Sequence, residues 1–401
     1  MQTFLSDEFR NSGTGSEAAS ILSKCVHCGF CNATCPTYLL LGDEMDGPRG
    51  RIYLMKQMFE GESRSLDQIR LHLDRCLTCR NCETTCPSGV EYSKLLELGR
   101  ATIGRKARRG AFDALVRSAL AAMLRNPGLF RLLARSAAWV RPLVPRKLQS
   151  KIPSARRPVL AWPEQTLQRR MIALSGCVQG TLAPDTNRAA ARVLSRYGIS
   201  LSEIPSAGCC GAVDLHTTAE EKGLAVARSL IDTWAPHLDE VEAFVMTASG
   251  CGVTVRDYPH LFRHDPKYRE AARKIAEKTF DLCEVIEREL DGTPEPVRRG
   301  KRVAFHAPCT LQHGQKLSGR VERILEQVGY DVVSVKDGHL CCGSAGTYSL
   351  LHPRISDRLR RDKLAVLHEQ VPDIVCTANI GCQLHLSDPG KPVRHWIELL
   401  L

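Results

Sequence analysis

Cysteine is the residue with most chemistry to offer in this 401-residue chain: there are 18, and eight of them fall in two matching runs. The first is Cys25-Val-His-Cys28-Gly-Phe-Cys31-Asn-Ala-Thr-Cys35-Pro36. The second sets Cys76, Cys79, Cys82 and Cys86-Pro87 at the same intervals, so both read C-x2-C-x2-C-x3-C-P. In that bacterial pattern three closely spaced thiolates hold one [4Fe-4S] cluster and the distant fourth holds the other. Cys25, Cys28 and Cys31 therefore group with Cys86, and Cys76, Cys79 and Cys82 with Cys35. A C-x-x-C turn aims successive sulfurs at one small cluster, and the proline after the last cysteine stops a helix from running on through that turn. Structural zinc closes on four ligands in paired knuckles and would leave the fourth cysteine and proline of each run without a role.

A second constellation repeats further along. Met171-Ile-Ala-Leu174 leads into Cys177, and Val303-Ala-Phe305 leads into Cys309. Thirty-two residues later each copy has Cys-Cys-Gly, at Cys209-Cys210-Gly211 and Cys341-Cys342-Gly343. A lone cysteine then follows an apolar run, at Cys251 and at Cys382. The copies are offset by 132 residues at three cysteines and 131 at the fourth, which marks an internal repeat. Each set offers four soft ligands, enough for a further iron-sulfur cluster or a reactive dithiol. The alternative is cysteine as a small buried hydrophobe, although an adjacent pair before glycine packs poorly. Gly211 and Gly343 imply that the backbone approaches something closely. The C-terminal set has Cys376 and His385 nearby as added ligand candidates. His306 and His313 flank Cys309 and could ligate, relay a proton or hydrogen-bond a carbonyl, the last being the commonest fate of such a histidine. His339, His395 and Cys283 read as structural.

These groups need elements to hold them. Glu17, Ala18, Ala19, Ile21 and Leu22 predict a short helix delivering the first run. Ile52, Met55, Phe59 and then Ile69, Leu71 and Leu73 recur at helical spacing between the two runs. Arg49 and Arg51 in this segment read as solvated charges rather than cluster contacts. Leu95, Leu96 and Leu98 close the module near residue 100. Phe112, Leu115, Val116, Leu120, Met123 and Leu124, then Leu129, Phe130, Leu132 and Leu133, predict two amphipathic helices broken at Pro127-Gly128. Pro142, Pro145, Pro153 and Pro158 predict an extended linker. From about residue 169, each repeat reads as strand, helix, strand, helix, strand, with its cysteines just after strands. The expected organisation is an α-helical module over 1–100, a basic connector over 101–165 and two α/β Cys-Cys-Gly (CCG) units over 166–295 and 296–401.

The net charge of +11 is local, because Arg100 to Arg157 carries 15 Lys or Arg against Asp113 alone and the remainder is slightly acidic. That distribution argues against nucleic acid as a partner. A basic amphipathic helix can lie on an anionic membrane or an acidic subunit, or simply present a solvated face. No run of about 18 apolar residues predicts a membrane span, and the first residues lack the pattern of a signal peptide. Short thiolate spacings suit a reducing, cytoplasmic compartment. No G-x-G-x-x-G follows a strand, so hydride chemistry is expected on another chain.

The Gly47-Pro48-Arg49-Gly50-Arg51-Ile52 segment between the runs resembles the α-helical ferredoxin module of respiratory dehydrogenases. The two CCG units resemble the cysteine-rich domain of heterodisulfide reductase, with Ala248 and Asn379 where that pattern has one more cysteine. Taken in order, and with His306-Ala-Pro-Cys309-Thr-Leu-Gln312-His313, the chain is similar throughout to the iron-sulfur subunits of glycolate oxidase. Iron-sulfur subunits of lactate utilisation systems and of anaerobic glycerol-3-phosphate dehydrogenase share the architecture. The resemblance implies an electron carrier in a hetero-oligomer with FAD-binding subunits that oxidise glycolate to glyoxylate. It implies two [4Fe-4S] clusters with a possible further cluster in the CCG region, and a quinone acceptor. It also implies peripheral attachment to the inner face of the cell membrane. A catalytic role like that of heterodisulfide reductase is the reading from another class.

Overall fold

In the order of the chain, aliphatic residues at helical spacing come first, and helices follow from them. The computed structural model describes residues 1–62, 65–140, 159–164, 167–217, 219–290, 300–388 and 390–401. Ser12 caps the helix Gly13–Ser23 by accepting from the Gly15 amide, and this helix leads into Cys25. Pro48 opens the helix Pro48–Glu60, and Gly61 at φ 77° ends it. Leu66–Asp74 and Tyr92–Lys106 complete the module. Their inner faces bury Leu22, Ile52, Met55, Phe59, Ile69, Leu73, Leu95, Leu96 and Ile103 in one core. The segment between the cysteine runs is helical, as its spacing predicts.

The basic stretch forms the helices Ala111–Arg125 and Pro127–Val140, broken at the predicted place. Its charge is partly structural: Arg109 binds Asp74 at 2.8 Å and Arg117 binds Asp113 at 2.9 Å. Leu124, Phe130 and Ala134 pack on Leu182 of the first CCG unit. Phe112 and Leu132 point outward, 80% and 61% exposed. The predicted extended linker, with Pro142, Pro145, Pro153 and Pro158, lies outside the described residues.

The repeat folds into two four-stranded parallel sheets of identical topology. The first holds β1 (Arg169–Ala173), β2 (Ile199–Glu203), β3 (Ala243–Met246) and β4 (Thr279–Asp281), in the order β2-β1-β3-β4. The second holds β5 (Arg302–His306), β6 (Asp331–Val332), β7 (Ile374–Thr377) and β8 (Arg394–His395), in the order β6-β5-β7-β8. Sequence spacing predicts three strands in each unit. The fourth, three residues long in one sheet and two in the other, is too short to carry a period.

Alternation along the strands divides the cores. Met171, Ala173, Val245, Val303, Phe305 and Cys376 point into a core shared by both units, which also takes Trp396 and Ile397. Ile172, Leu174, Phe244 and Met246 point the other way, into a core of the first unit alone, and Ala304 and Val375 do the same in the second. Arg196 donates to the Leu400 carbonyl at 2.8 Å, so the 3-10 turn Trp396–Leu400 is tied to the first unit.

Candidate iron-sulfur and thiol sites

Each cysteine run turns through two residues in the left-handed region. His27 and Gly29 do so in the first run, at φ 55° and 87°, and Thr78 and Arg80 in the second, at φ 53° and 58°. That conformation is uncommon outside glycine, and here it curls both loops in the same way around their sulfurs. Cys25, Cys28, Cys31 and Cys86 line one recess of about 430 Å³, counting the part open to solvent, against Ile52 and Tyr92. Cys35, Cys76 and Cys79 line a second of about 310 Å³ with Arg51 and Leu77, and Cys82 borders both. Each expected set of four thus lines one recess, with Cys82 shared between the two.

None of these cysteines is in a disulfide. Burial, then the neighbouring Cys25, Cys86 and Cys28, pushes the Cys31 thiol up to about 11. Burial first, then sulfur neighbours, raises Cys79 and Cys82 as well. Four thiols crowded at the wall of a cavity resist ionisation unless a cationic centre sits among them. The residues present therefore fit iron-sulfur clusters.

Arg51 corrects its sequence reading. It is 1% exposed, donates to Thr37 at 3.1 Å and to the His72 carbonyl at 2.7 Å, and lies 3.9 Å from the Cys35 sulfur. Asp46, also fully buried, faces Arg51, His72 and Arg75. Arg51 is a buried cation beside the second thiol set. Arg49 is partly exposed and pairs with Glu44 at 2.6 Å.

The second cysteine loop docks on both CCG units. Arg80 pairs with Asp257 of the first. Asn81 donates to the His339 carbonyl of the second at 3.1 Å, and Thr84 meets His313 Nδ1 at 2.9 Å. Tyr348 donates to the Arg75 carbonyl at 3.0 Å. Cys79 and Leu77 consequently pack in one cluster with Cys309, Cys341 and Tyr348.

Within the second unit, Cys309 and Cys341 sulfurs lie 3.9 Å apart and those of Cys342 and Cys382 lie 3.6 Å apart. A ring nitrogen of His306 and the sulfurs of Cys342 and Cys382 all fall within 4.8 Å of one another. In the first unit Cys177, Cys209, Cys210 and Cys251 also converge. Hydrogen bonds from Cys177 and Cys210 hold the Cys209 thiol below its ordinary range, while Cys177 and Cys210 are raised. Gly211 and Gly343 sit at φ 88° and 90°. A Cβ on Gly211 would stand 2.7 Å from the Gly223 carbonyl oxygen, and one on Gly343 would stand 2.9 Å from the Ser356 carbonyl oxygen. The close approach read from these glycines is to the backbone of the long helices Glu220–Trp234 and Pro353–His368.

The histidines divide. His313 Nε2 meets the His339 carbonyl at 2.9 Å, the common fate expected. His395 caps the turn at Ile397 and meets the Thr247 carbonyl at 2.8 Å. His306 is different: it is 2% exposed, and its Nε2 has no hydrogen-bond partner. Burial holds it neutral, with its pKa down to about 3. His385 meets Ser356 at 3.3 Å. Cys283 is wholly buried, as expected, whereas Cys376 faces the shared core and not the Cys309 set. Sequence reading passed over Lys363, which is 4% exposed and lies four residues from each of the buried Leu359 and Leu367. A lysine at that spacing is the signal that could have found it.

The family of 4Fe-4S dicluster domains matches residues 21–90, and the cysteine-rich domain family matches 172–256 and again 303–387. The glycolate oxidase iron-sulfur subunit of Escherichia coli (strain K12) is 49% identical over 402 residues, covering 100% of this chain and 98% of that protein. The probable glycolate oxidase iron-sulfur subunit of Bacillus subtilis (strain 168) is 30% identical, covering 91% of this chain and 88% of that one. Lactate utilization protein A of Exiguobacterium sp. is 27% identical over 56% of this chain. The chain belongs to the family of glycolate oxidase iron-sulfur subunits, electron carriers of an oxidoreductase.

Proposed function

We propose that this chain relays electrons from a flavoprotein partner that oxidises glycolate to glyoxylate towards a membrane quinone. Cys25, Cys28, Cys31 and Cys86 hold one [4Fe-4S] cluster, and Cys76, Cys79, Cys82 and Cys35 hold the other. When bound, such clusters accept and give single electrons, splitting the two electrons of a reduced flavin. Arg51 compensates the negative charge of the second thiol set, and the apolar walls of Leu77 and Tyr92 keep water from it. The observation that carries the reading is the packing of Cys79 against Cys309 and Cys341, which brings the second set to the CCG sulfurs. Residues 1–100 are the ferredoxin part and 101–165 the connector. Residues 166–295 and 296–401 are the two CCG units, whose cysteines extend the relay through a further cluster or a redox thiol pair.

Membrane contact falls to the connector. Phe112, Leu115 and Leu132 are exposed beside Arg108, Arg131 and Arg135, a face suited to the anionic inner leaflet. No described helix is long and apolar enough to cross a membrane.

The test is the complex carrying Cys341→Ser and Cys342→Ser. Glycolate should still reduce the flavin while quinone reduction is lost. Retained quinone reduction would leave the CCG half as a docking scaffold and refute the relay.

A further inference from the structure

The two CCG units share strand order and cysteine placement, yet the ground under their sulfurs differs. The 132-residue offset sets His306 against Leu174, and the 131-residue offset sets Asn379 against Ala248. In the first unit Cys209 and Cys210 sit in an apolar cluster with Leu174, Leu230 and Ile231. In the second, Cys342 and Cys382 also have apolar neighbours, among them Leu367 and Leu386, but two polar groups reach them as well. His306 is buried with Nε2 unpartnered, and its ring lies within 4.8 Å of the Cys342 and Cys382 sulfurs. Asn379 donates to the Cys382 sulfur at 3.6 Å.

Lys363 is a further buried polar group in this unit. Its ammonium is 4% exposed and donates to the Asp337 carbonyl at 2.8 Å, and it forms no ion pair with a carboxylate among the described residues. Its electrostatic neighbours are Cys342, Cys341, Asp337 and Cys382. A buried ammonium gains from anions that face it, and those here are the Asp337 carboxylate and the Cys341, Cys342 and Cys382 sulfurs as thiolates. Thiolate, not thiol, is the form that binds metal.

We infer that His306, Cys342 and Cys382 form a mixed nitrogen-sulfur site for one first-row divalent ion, zinc or ferrous iron, that the first unit does not have. Two thiolates neutralise the dication, and the imidazole completes a Cys2His set with a fourth position open. Cys309 and Cys341 are left on the side of Cys79. The site does not rest on the proposed relay for its existence: ferrous iron there would extend the relay in place of a cluster, and zinc would leave that task to Cys309 and Cys341.

The test is metal content per chain of the anaerobically purified full-length protein, with Cys382→Ser, His306→Leu and His385→Leu beside it. His306→Leu installs the side chain that the first unit already carries at Leu174, so it is compatible with this fold. The wild-type chain should hold one zinc or iron atom beyond the N-terminal clusters. His306→Leu and Cys382→Ser should each lose that atom with cluster electron paramagnetic resonance unchanged, and His385→Leu should keep it. Cobalt(II) added to metal-stripped protein should give thiolate-to-cobalt charge transfer in the wild type that His306→Leu shifts or abolishes. Full metal retention in His306→Leu would overturn the assignment, as would the loss of about four irons in Cys382→Ser, which would mean a cluster. Unchanged metal in both variants would mean that the unit binds none. Failure of quinone reduction in the complex bears on the relay and leaves these counts untouched.

Discussion

Arg80 pairs with Asp257, and the contact ties the second cysteine loop to the helix end that follows Cys251. Arg80 holds a left-handed backbone at φ 58° in the position that Gly29 occupies in the first loop. The side chain is thus kept despite its backbone cost, because it joins two parts of the molecule. Asp257→Ala should lower stability by about 1–3 kcal/mol by leaving a largely buried guanidinium unpaired. Chemical denaturation of the two proteins measures it, and an unchanged midpoint would show that the contact is idle.

Arg51 should be harder to replace. Arg51→Leu removes its bonds to Thr37 and the His72 carbonyl and strips a partner from buried Asp46. A loss of about 3–5 kcal/mol is expected. Iron content should fall towards one cluster, because the recess bordered by Arg51 is the second. Equal loss from both clusters would contradict that selectivity.

Asp281 gives a pH dependence. Burial raises its carboxyl from 3.8 to about 6. Between those values the folded state holds a proton that the unfolded state has released, so stability falls as pH rises from about 4 to about 6. The ceiling is about 3 kcal/mol at 1.36 kcal/mol per pH unit. Asp281→Asn, which can still meet Gln315, should therefore be stabilised relative to wild type at pH 8 and much less at pH 5. Thermal unfolding at the two pH values decides, and a pH-independent difference would discount the buried charge.

Gly343→Ala should cost about 1–3 kcal/mol, from its φ of 90° and from the Ser356 carbonyl oxygen 2.9 Å from the new Cβ. Gly208→Ala is the control, since nothing lies within 4 Å of its Cβ. Equal melting temperatures for the two variants would remove the argument from close approach.

Vesicle binding tests the connector. Phe112→Ser with Leu132→Ser should weaken sedimentation with phosphatidylserine vesicles several-fold, and salt should weaken the wild type. Insensitivity to both changes would assign this face to another surface.

What could be read beforehand follows from how each feature is encoded. The crossed thiol sets and the repeat are local spacings, and the helices between the runs carry a strong period. β4 and β8 are too short for any period to show. Arg51 has the side-chain type of a surface charge, yet it neighbours Ile52 on a buried helix face, and Lys363 stands four residues from both Leu359 and Leu367 on another. The split between Cys376 and the other cysteines of its unit lies in strand alternation, which places Val375 and Cys376 on opposite faces. The docking of Cys79 on Cys309 joins residues 230 positions apart, and no local pattern encodes it.

The turn Trp396–Leu400, which completes the core shared by both repeats, bears on how the chain is made. At roughly 5–20 residues per second, a ribosome that has finished the helix Leu282–Leu290 needs several more seconds to reach Trp396. Through that interval the first repeat stands with Ala189, Val193 and Leu194 uncovered by their eventual partners. The nascent protein thus passes through a stage that is open on one side, which a holdase could shield and a protease could cut. Release from the stage comes only when the second repeat closes over it.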